Sequence, residues 1–366
     1  MSISFVPASW IIISFYSIGT LSFLFSCVTI YLVYTKSQKD GRYRFYNLLF
    51  QIASVNSVLE YTIFSQPMPL FPILAGYCEG FVAKYLGVWS HYLIGLQLSS
   101  MIFQVECLVF CFAIKHQNIG RVISYNVVSD TYYYGGIVFF IFTPIGAFVV
   151  FVLSGMRRED QLAHIKLKHP EYYDEFSKLP NFSIYEFNFW SLVLAGSACC
   201  GALVCGAAFT IITMDIFRML KTLQKKVSAA SFKKYQSAVK SLLVQFATSG
   251  LLLAPLSGFV LFTLISFDKA QLFVEITLLI GALHPIVNAI VLTMTTSQFR
   301  EVVFGFIFGK KWIHVNNKKV LILCILKLEV ERWYDHVIEK KLLSLVSEFW
   351  LGNIVLEKLV LEDFLK

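Results

Sequence analysis

The sequence predicts an all-α membrane protein that crosses the bilayer seven times, with the N-terminus outside and the C-terminus in the cytosol. Composition is the first observation behind this prediction. The 366 residues are 57% hydrophobic and only 15% charged, and the mean hydropathy is +0.67. Soluble globular proteins have about 45–50% apolar and about 25% charged residues. So much apolar surface predicts a chain that lies in lipid, and it excludes intrinsic disorder and a disulfide-stapled miniprotein.

The second observation is a set of seven long, nearly uncharged runs, since a hydrocarbon core takes roughly 20 helical residues to cross. The runs cover residues 8–34, 45–64, 87–114, 131–154, 188–214, 241–267 and 271–297. Helices satisfy their own backbone polar groups, as lipid requires. The first positive charge follows the first apolar run, which is typical of an uncleaved helix rather than a signal peptide. We therefore predict a seven-transmembrane helix bundle over residues 1–297.

The third observation is the charge on the connecting loops, because cytosolic loops are rich in Lys and Arg. The odd-numbered loops carry a net charge of +10 and the even-numbered loops −1. This difference predicts that the odd loops are cytosolic. Asn181 begins an Asn-Phe-Ser glycosylation acceptor in the longest even loop, on the predicted outer side. Residues 298–366 are predicted to form a cytoplasmic tail that begins with a short helix in the membrane interface.

Motifs for enzymatic chemistry are missing from the sequence. It contains no HExxH, GxSxG or Walker A pattern, and its cysteines and histidines lack zinc-site spacing. We therefore predict no enzyme activity, metal, cofactor or nucleic-acid partner. A transporter or channel for a small solute stays the alternative function, although seven spans do not divide into two equal repeats.

Several polar residues and prolines within the predicted spans are candidates for a conformational switch. Glu106 lies in the predicted cytoplasmic half of the third span, where it would hold the third and sixth spans together or serve as a neutral core acid. The run His284, Pro285 and Asn288 lies in the middle of the seventh span, where proline would bend the helix. Pro255 is a second candidate hinge, although prolines are common in membrane helices without a switching role.

Aromatic and polar residues near the outer ends of the spans predict a small-molecule site, which is typically an apolar pocket with a few polar groups. An interfacial aromatic belt is the alternative for the tryptophans and tyrosines. Glu60 and Glu275 are expected to extend toward the lipid headgroups, with ligand contact as the second interpretation for Glu275. The candidate ligand-binding residues are Trp89, His91, Tyr92, Gln97, Trp190 and Glu275.

Four stretches resemble the nematode serpentine chemoreceptors of the Sri/Srh class in the Str superfamily, which are seven-transmembrane G-protein-coupled receptors. They are PMPLFPILAGYCEG at 67–80, CFAIKHQ at 111–117, LPNFSIY at 179–185 and HPIVN at 284–288. The resemblance covers about residues 1–305. In many rhodopsin-like receptors a disulfide ties the third helix to the second outer loop. Here residues 156–187 contain no cysteine that could pair with Cys78.

The resemblance implies a GPCR-like fold, a small environmental molecule as ligand and signalling through a heterotrimeric G protein. It also implies the plasma membrane as location, in the cilium of a sensory neuron. The basic third inner loop would then contact the G protein. Attraction to anionic inner-leaflet lipid, about 1 kcal/mol per charge near the surface, is a sufficient alternative for the same residues. The candidate G-protein contacts are Arg218, Lys221, Lys225 and Lys226.

Overall fold

The computed structural model describes residues 3–36, 41–125, 127, 129–179, 181–253, 255 and 270–308. It divides into two units, Met1–Arg300 and Glu301–Lys366. Of the second unit, only residues 301–308 are described. The predicted tail therefore lies mostly outside the described residues, and its extent stays a prediction.

Long helices account for most of the first unit. The helices that form the bundle are α1 (Ser9–Lys36), α2 (Gly41–Leu59, continued by a π-helical turn at Glu60–Ser65), α4 (Ser90–Ile123), α5 (Asp130–Ser154), α8 (Phe189–Lys226), α9 (Ala229–Ser249, continued by a 3-10 turn at Gly250–Leu253), α10 (Ala270–Ala282) and α11 (His284–Thr295). The shorter elements are β1 (Pro67–Pro69), β2 (Ala75–Cys78), α3 (Phe81–Leu86), α6 (Arg158–Lys168), a 3-10 turn (Pro170–Tyr172), α7 (Tyr173–Lys178) and β3 (Ser183–Ile184). A further helix, α12, covers Ser297–Phe308.

The bundle helices pack side by side, and α4 contacts four of them: α2, α5, α8 and α9. Helix α1 contacts α2 and α11, and α9 contacts α11 and α8. Helix α11 also contacts α2 and α10. Side chains on α4 can therefore connect most of the bundle.

Five helical segments within the described residues are long and apolar enough to cross a membrane: Ser9–Lys36, Ser90–Ile123, Tyr134–Ser154, Phe189–Lys226 and Ala270–Thr295. They correspond to the first, third, fourth, fifth and seventh predicted spans. Helix α2 is the second span and is more polar, because Asn47, Gln51, Ser54 and Ser57 are all buried in the bundle. The sixth span begins in α9, and residues 256–269 lie outside the described residues. The fold is the predicted seven-transmembrane helix bundle.

Three helices extend beyond the predicted spans, and one of them, α9, begins at Ala229 rather than at residue 241. Helix α4 continues to Ile123 rather than ending at residue 114, and α8 continues to Lys226 rather than ending at 214. The charges that suggested loops at these points lie on helices. Helix α9 starts soon after α8 ends, and the side chain of Ser228 caps its first turn by accepting a hydrogen bond from the Ser231 N–H.

A folded cap covers the end of the bundle where α4 begins, and we call this the cap end. Strands β1, β2 and β3 form an antiparallel sheet in that order, and β2 pairs with β3 through Ala75 opposite Ile184. Buried apolar side chains join the sheet, α6, α7 and the N-terminal residues to α1 and α10: Ile3, Ile11, Phe15, Tyr61, Met68, Leu70, Ile73, Ala75, Tyr77, Ile165, Phe176, Ile184 and Ala282. This sheet was not predicted from the sequence.

Candidate functional site

A cavity lies in the core of the bundle between α2, α4, the end of α9 and the α10–α11 junction. The volume of this cavity is about 60 Å3. Its described lining residues are Ser54, Ser57, Val58, Tyr61, Gln97, Met101, Gln104, Leu252, Pro255, Gly281, Ala282, His284 and Pro285. The cavity thus brings together one predicted ligand-binding residue, Gln97, with three predicted switch residues, Pro255, His284 and Pro285.

Hydrogen bonds between helices surround the cavity. Gln97 Nε2 donates to Ser57 Oγ at 3.2 Å, which joins α4 to α2. Gln104 Nε2 lies 3.1 Å from His284 Nδ1, and Ser249 Oγ lies 3.4 Å from His284 Nε2. His284 therefore bridges α4 and α9 with both ring nitrogens, and it is fully buried.

Asn288 lies one turn further along α11. Its Nδ2 donates to Gln51 Oε1 on α2 at 3.1 Å, and both side chains are buried. The predicted switch run of the seventh span therefore contacts three other helices through polar side chains.

The helix of the seventh span is interrupted beside the cavity. Helix α10 ends at Ala282 and α11 begins at His284, with Pro285 in the first turn, where a missing N–H does no harm. A Cβ on Gly281 would lie only 2.8 Å from the ring of Pro255, so the α10 backbone approaches the end of α9 closely at this point. The expected proline bend is therefore a break between two helices that face a third.

The other predicted ligand-binding residues do not line this cavity. His91 is buried against the Phe151 ring, with ring centroids 4.8 Å apart, and its Nε2 lies 3.1 Å from Val152 O. The indole N–H of Trp89 donates to Phe182 O at 2.9 Å. These two side chains therefore hold the start of α4 to α5 and to the loop before β3. The sequence could not distinguish this packing role from ligand binding, because aromatic residues near a helix end are used for both.

Two predicted ligand-binding aromatics, Tyr92 and Trp190, are exposed on the outside of the bundle. This is the position expected for an interfacial belt. Glu275 is 7% exposed and lies near Gln271 of α10. Its burial contradicts the expectation that it extends to the headgroups.

The other two membrane carboxylates are also buried. Glu60 is 5% exposed and its Oε2 accepts a hydrogen bond from Ser100 Oγ at 2.7 Å, so it does not extend to the headgroups. Glu106 lies at the middle of α4, because that helix is longer than predicted, and it is near Thr143 of α5 and Cys205 of α8. These surroundings agree with a core acid, and the link to the sixth span stays a prediction, since residues 256–269 of that span lie outside the described residues.

At the end of the bundle opposite the cap, consecutive residues of α4 reach in different directions. His116 Nε2 donates to Asp215 Oδ2 of α8 at 2.7 Å, and both side chains are nearly buried. Lys115 is 1% exposed, and its Nζ lies 4.5 Å from the centre of the Tyr43 ring and 5.5 Å from that of Tyr235. Lys115 therefore joins α2 and α9, while His116 joins α8. The sequence analysis counted Lys115 and Asp215 only as loop charges.

An open groove of about 550 Å3 lies beside the hydrogen bond between His116 and Asp215, between α4 and α8. The predicted G-protein contacts follow along α8. Arg218, Lys221 and Lys225 are exposed, and their spacing places them on one face of the helix. Lys226 instead donates to Ile123 O at 3.0 Å, where a cation satisfies the carbonyl end of α4.

The predicted glycosylation site, Asn181, lies in the cap with φ of 61°. Its side-chain oxygen accepts a hydrogen bond from Arg158 at 2.8 Å, and its main-chain oxygen accepts one from Ser90 N–H at 3.2 Å. Ser183, the third residue of the acceptor, is buried in β3. In the folded cap, Asn181 is thus part of the packing, and modification would have to precede folding of the cap.

Cys78 lies in β2 as a free, buried thiol. Burial raises its pKa to about 12, so the thiol is protonated and unreactive near neutral pH. Its main-chain N–H donates to Ser90 Oγ at 2.9 Å. Within the cap, the β2–β3 pairing connects the segment that follows α2 to the segment that precedes α8.

A bundle of long apolar helices, five of them among the described residues, encloses a core cavity beside a break in the seventh span. This architecture is typical of a seven-transmembrane receptor. The family model for serpentine-type seven-transmembrane G-protein-coupled chemoreceptors of the Sri family matches residues 1–303. The chain belongs to this family and is a chemosensory G-protein-coupled receptor.

Other comparisons add little to the family assignment. No curated protein matches the chain. The crystal structure of squid rhodopsin is similar over 83% of this chain and 85% of the rhodopsin chain, with 13% sequence identity and a TM-score of 0.46.

Proposed function

We propose that a small environmental molecule binds in the core cavity and shifts the receptor between two packings of α9, α10 and α11. The observation that supports this proposal is the lining of the cavity. Gln97, Pro255, His284 and Pro285 all face the same space, so a bound molecule contacts the helix break directly. A ligand shifts an equilibrium only as far as its contacts differ between the two states. A rearrangement at the α10–α11 break would change the ligand contacts that the break residues make.

The end opposite the cap is the proposed site for a heterotrimeric G protein. Exposed Arg218, Lys221 and Lys225 on α8 supply positive charge there, and α8 and α9 extend beyond the predicted spans. Anionic lipid headgroups would compete for the same side chains. Lys226 has the structural role of binding the end of α4 instead.

The proposed orientation follows the loop charges, with the cap outside and the basic end of α8 in the cytosol. The proposed location is the plasma membrane of a sensory neuron, in its cilium, and the proposed source is a nematode. Glycosylation at Asn181 belongs to the same proposal, as does the absence of enzyme activity. The transporter or channel alternative has no support from the family assignment.

A signalling assay in transfected cells tests this proposal. Cells that express the receptor with a calcium or cyclic-nucleotide readout would be screened with odorants and pheromones. We expect a ligand-dependent response that disappears when G-protein activation is blocked. A ligand-evoked current or uptake that persists without a G protein would contradict the proposal and favour the transporter or channel.

A cavity-filling substitution tests the location of the ligand. Ala282 lines the cavity and is 2% exposed, so Ala282→Val places extra carbon in the space and should reduce the response at equal surface expression. Ala202→Val is the matched control, because Ala202 is exposed on α8. Equal responses from the two variants would contradict binding in the core cavity.

A further inference from the structure

We infer that the core cavity takes a small, uncharged molecule with one hydroxyl or carbonyl group on a short apolar body. This inference names the ligand class for the receptor function proposed above, and it rests on that function only for its signalling readout.

Polar atoms without partners are the first observation. Ser54, Tyr61 and Gln97 line the cavity and are 2%, 8% and 9% exposed. The Ser54 hydroxyl, the Tyr61 hydroxyl and the Gln97 side-chain oxygen have no hydrogen-bond partner among the described residues. Unpaired polar groups inside a membrane protein are costly. A ligand that pairs with them removes that cost and gains affinity.

The chemistry of these groups matches a hydroxyl or carbonyl on the ligand. The hydroxyls of Ser54 and Tyr61 can each donate or accept a hydrogen bond. The Gln97 amide uses one end for Ser57, so its other end is free whichever way the amide is turned. One polar group on the ligand therefore finds both donors and acceptors.

The described lining of the cavity offers no charge that could pair with a charged ligand. Among its described lining residues there is no Asp, Glu, Lys or Arg. With the Gln104 amide oriented so that its Nε2 donates, the Nδ1 atom of His284 accepts this hydrogen bond and carries no proton. A carboxylate or ammonium group on the ligand would be buried without an opposite charge. Glu60 precedes Tyr61 in the sequence, but its carboxylate accepts a hydrogen bond from Ser100 and is not among the described lining residues.

The size of the cavity limits the apolar part of the ligand. The cavity volume of about 60 Å3 is enough for several water molecules, since one water needs roughly 10–15 Å3 of such volume. Val58, Met101 and Leu252 give the remaining wall an apolar surface. A body of a few carbon atoms fits this space.

A matched series of four-carbon probes tests the inference on the purified full-length receptor in nanodiscs. The probes are n-butanol, butanone, butanoate and n-butylammonium at millimolar concentration, the affinity range of ligands with few atoms. The readouts are ligand-induced thermal stabilisation and, separately, G-protein activation. The variants are Ser54→Ala and Tyr61→Phe. Ser22→Ala is the control, because Ser22 on α1 is an equally buried, unpartnered hydroxyl that does not line the cavity.

We expect n-butanol and butanone to stabilise the receptor and the two charged probes to leave it unchanged. Ser54→Ala and Tyr61→Phe should weaken neutral-probe binding roughly three- to tenfold. They should not lower the melting temperature of the unliganded receptor, because each removes an unsatisfied polar atom. Ser22→Ala should leave binding unchanged.

Three results would overturn the inference: no stabilisation by either neutral probe, binding of a charged probe as tight as that of n-butanol, or binding unaffected by both cavity substitutions. If binding of n-butylammonium were lost in Glu60→Gln, the site would be one for cations. Binding without G-protein activation would contradict the proposed function and leave the ligand class intact. Activation that neither substitution alters would contradict this site and leave the receptor function intact.

Discussion

The contact between His116 and Asp215 predicts that breaking it raises basal signalling. It ties α4 to α8 at the end where the G protein is proposed to bind, with 2.7 Å between Nε2 and Oδ2. An opening of this end on activation would separate the two helices. The hydrogen bond would then exist only in the resting packing, and its loss would favour the active one.

The size of the effect follows from burial. The two side chains are only 8% and 11% exposed, so water screens the contact little. A hydrogen bond to a charged group contributes about 1.5–3 kcal/mol, and 1.4 kcal/mol is a factor of about ten in an equilibrium. A receptor that is active about 1% of the time would then be active about 10% of the time or more after the pair is broken.

The assay is a double-mutant cycle with His116→Phe, Asp215→Asn and the double variant. Basal nucleotide exchange on the G protein would be measured at equal surface expression, together with the melting temperature of each purified variant. The cycle isolates the pair, because contacts that either residue makes elsewhere cancel. His164→Phe is the control, since His164 forms a similar pair with Glu186 in the cap.

A coupling energy below about 0.5 kcal/mol, within the range of independent sites, would refute the reasoning. So would an equal rise in basal exchange in the His164→Phe control. If His116→Phe or Asp215→Asn lowered the melting temperature and left basal exchange unchanged, the contact would contribute to stability and not to signalling.

Three further predictions concern the break in the seventh helix and the cap. Gly281→Ala should lower the melting temperature, because its Cβ would lie 2.8 Å from the facing proline ring, whereas Gly206→Ala meets no atom within 4 Å and should not. Trp89→Phe removes a hydrogen bond of 2.9 Å to the loop before β3 and should destabilise the cap by about 1 kcal/mol, as measured by its hydrogen exchange, with exposed Trp190→Phe as control. A hydrogen bond from a lysine lowers the pKa of Glu186, so its contribution is present above the ordinary carboxyl pKa and is lost as pH falls through the lowered value. Acid should therefore lower the protection of the cap amides, measured as the exchange rate relative to the intrinsic rate at each pH, by less than about 1 kcal/mol because Glu186 is partly exposed.

The number of membrane helices and the fold class followed from the sequence because lipid imposes a length and a composition on each span. The ends of the helices did not follow from it. Lys115 and Asp215 were assigned to loops by their charge, whereas the structure gives both partners inside the bundle. The cap was missed because its strands are two to four residues long, and β1 contains Pro67 and Pro69, which argue against a strand.

The candidate site was predicted in part. His284, Pro285 and Pro255 were recognisable, because an ionisable side chain is rare inside a membrane helix and a proline removes a helical hydrogen bond. The polar residues of α2 that complete the cavity, such as Ser54, were not. A serine in a membrane helix satisfies its hydroxyl in many ways, and only the packing tells which face it occupies.

The pairing of β2 with β3 has a consequence for how the receptor tolerates its surroundings. Main-chain hydrogen bonds and buried side chains hold the cap together, and the cysteine within this sheet, Cys78, forms no disulfide. Dithiothreitol or glutathione should therefore leave the cap folded at concentrations that cleave ordinary disulfide cross-links. The shape of the cap is thus independent of the redox state of its surroundings.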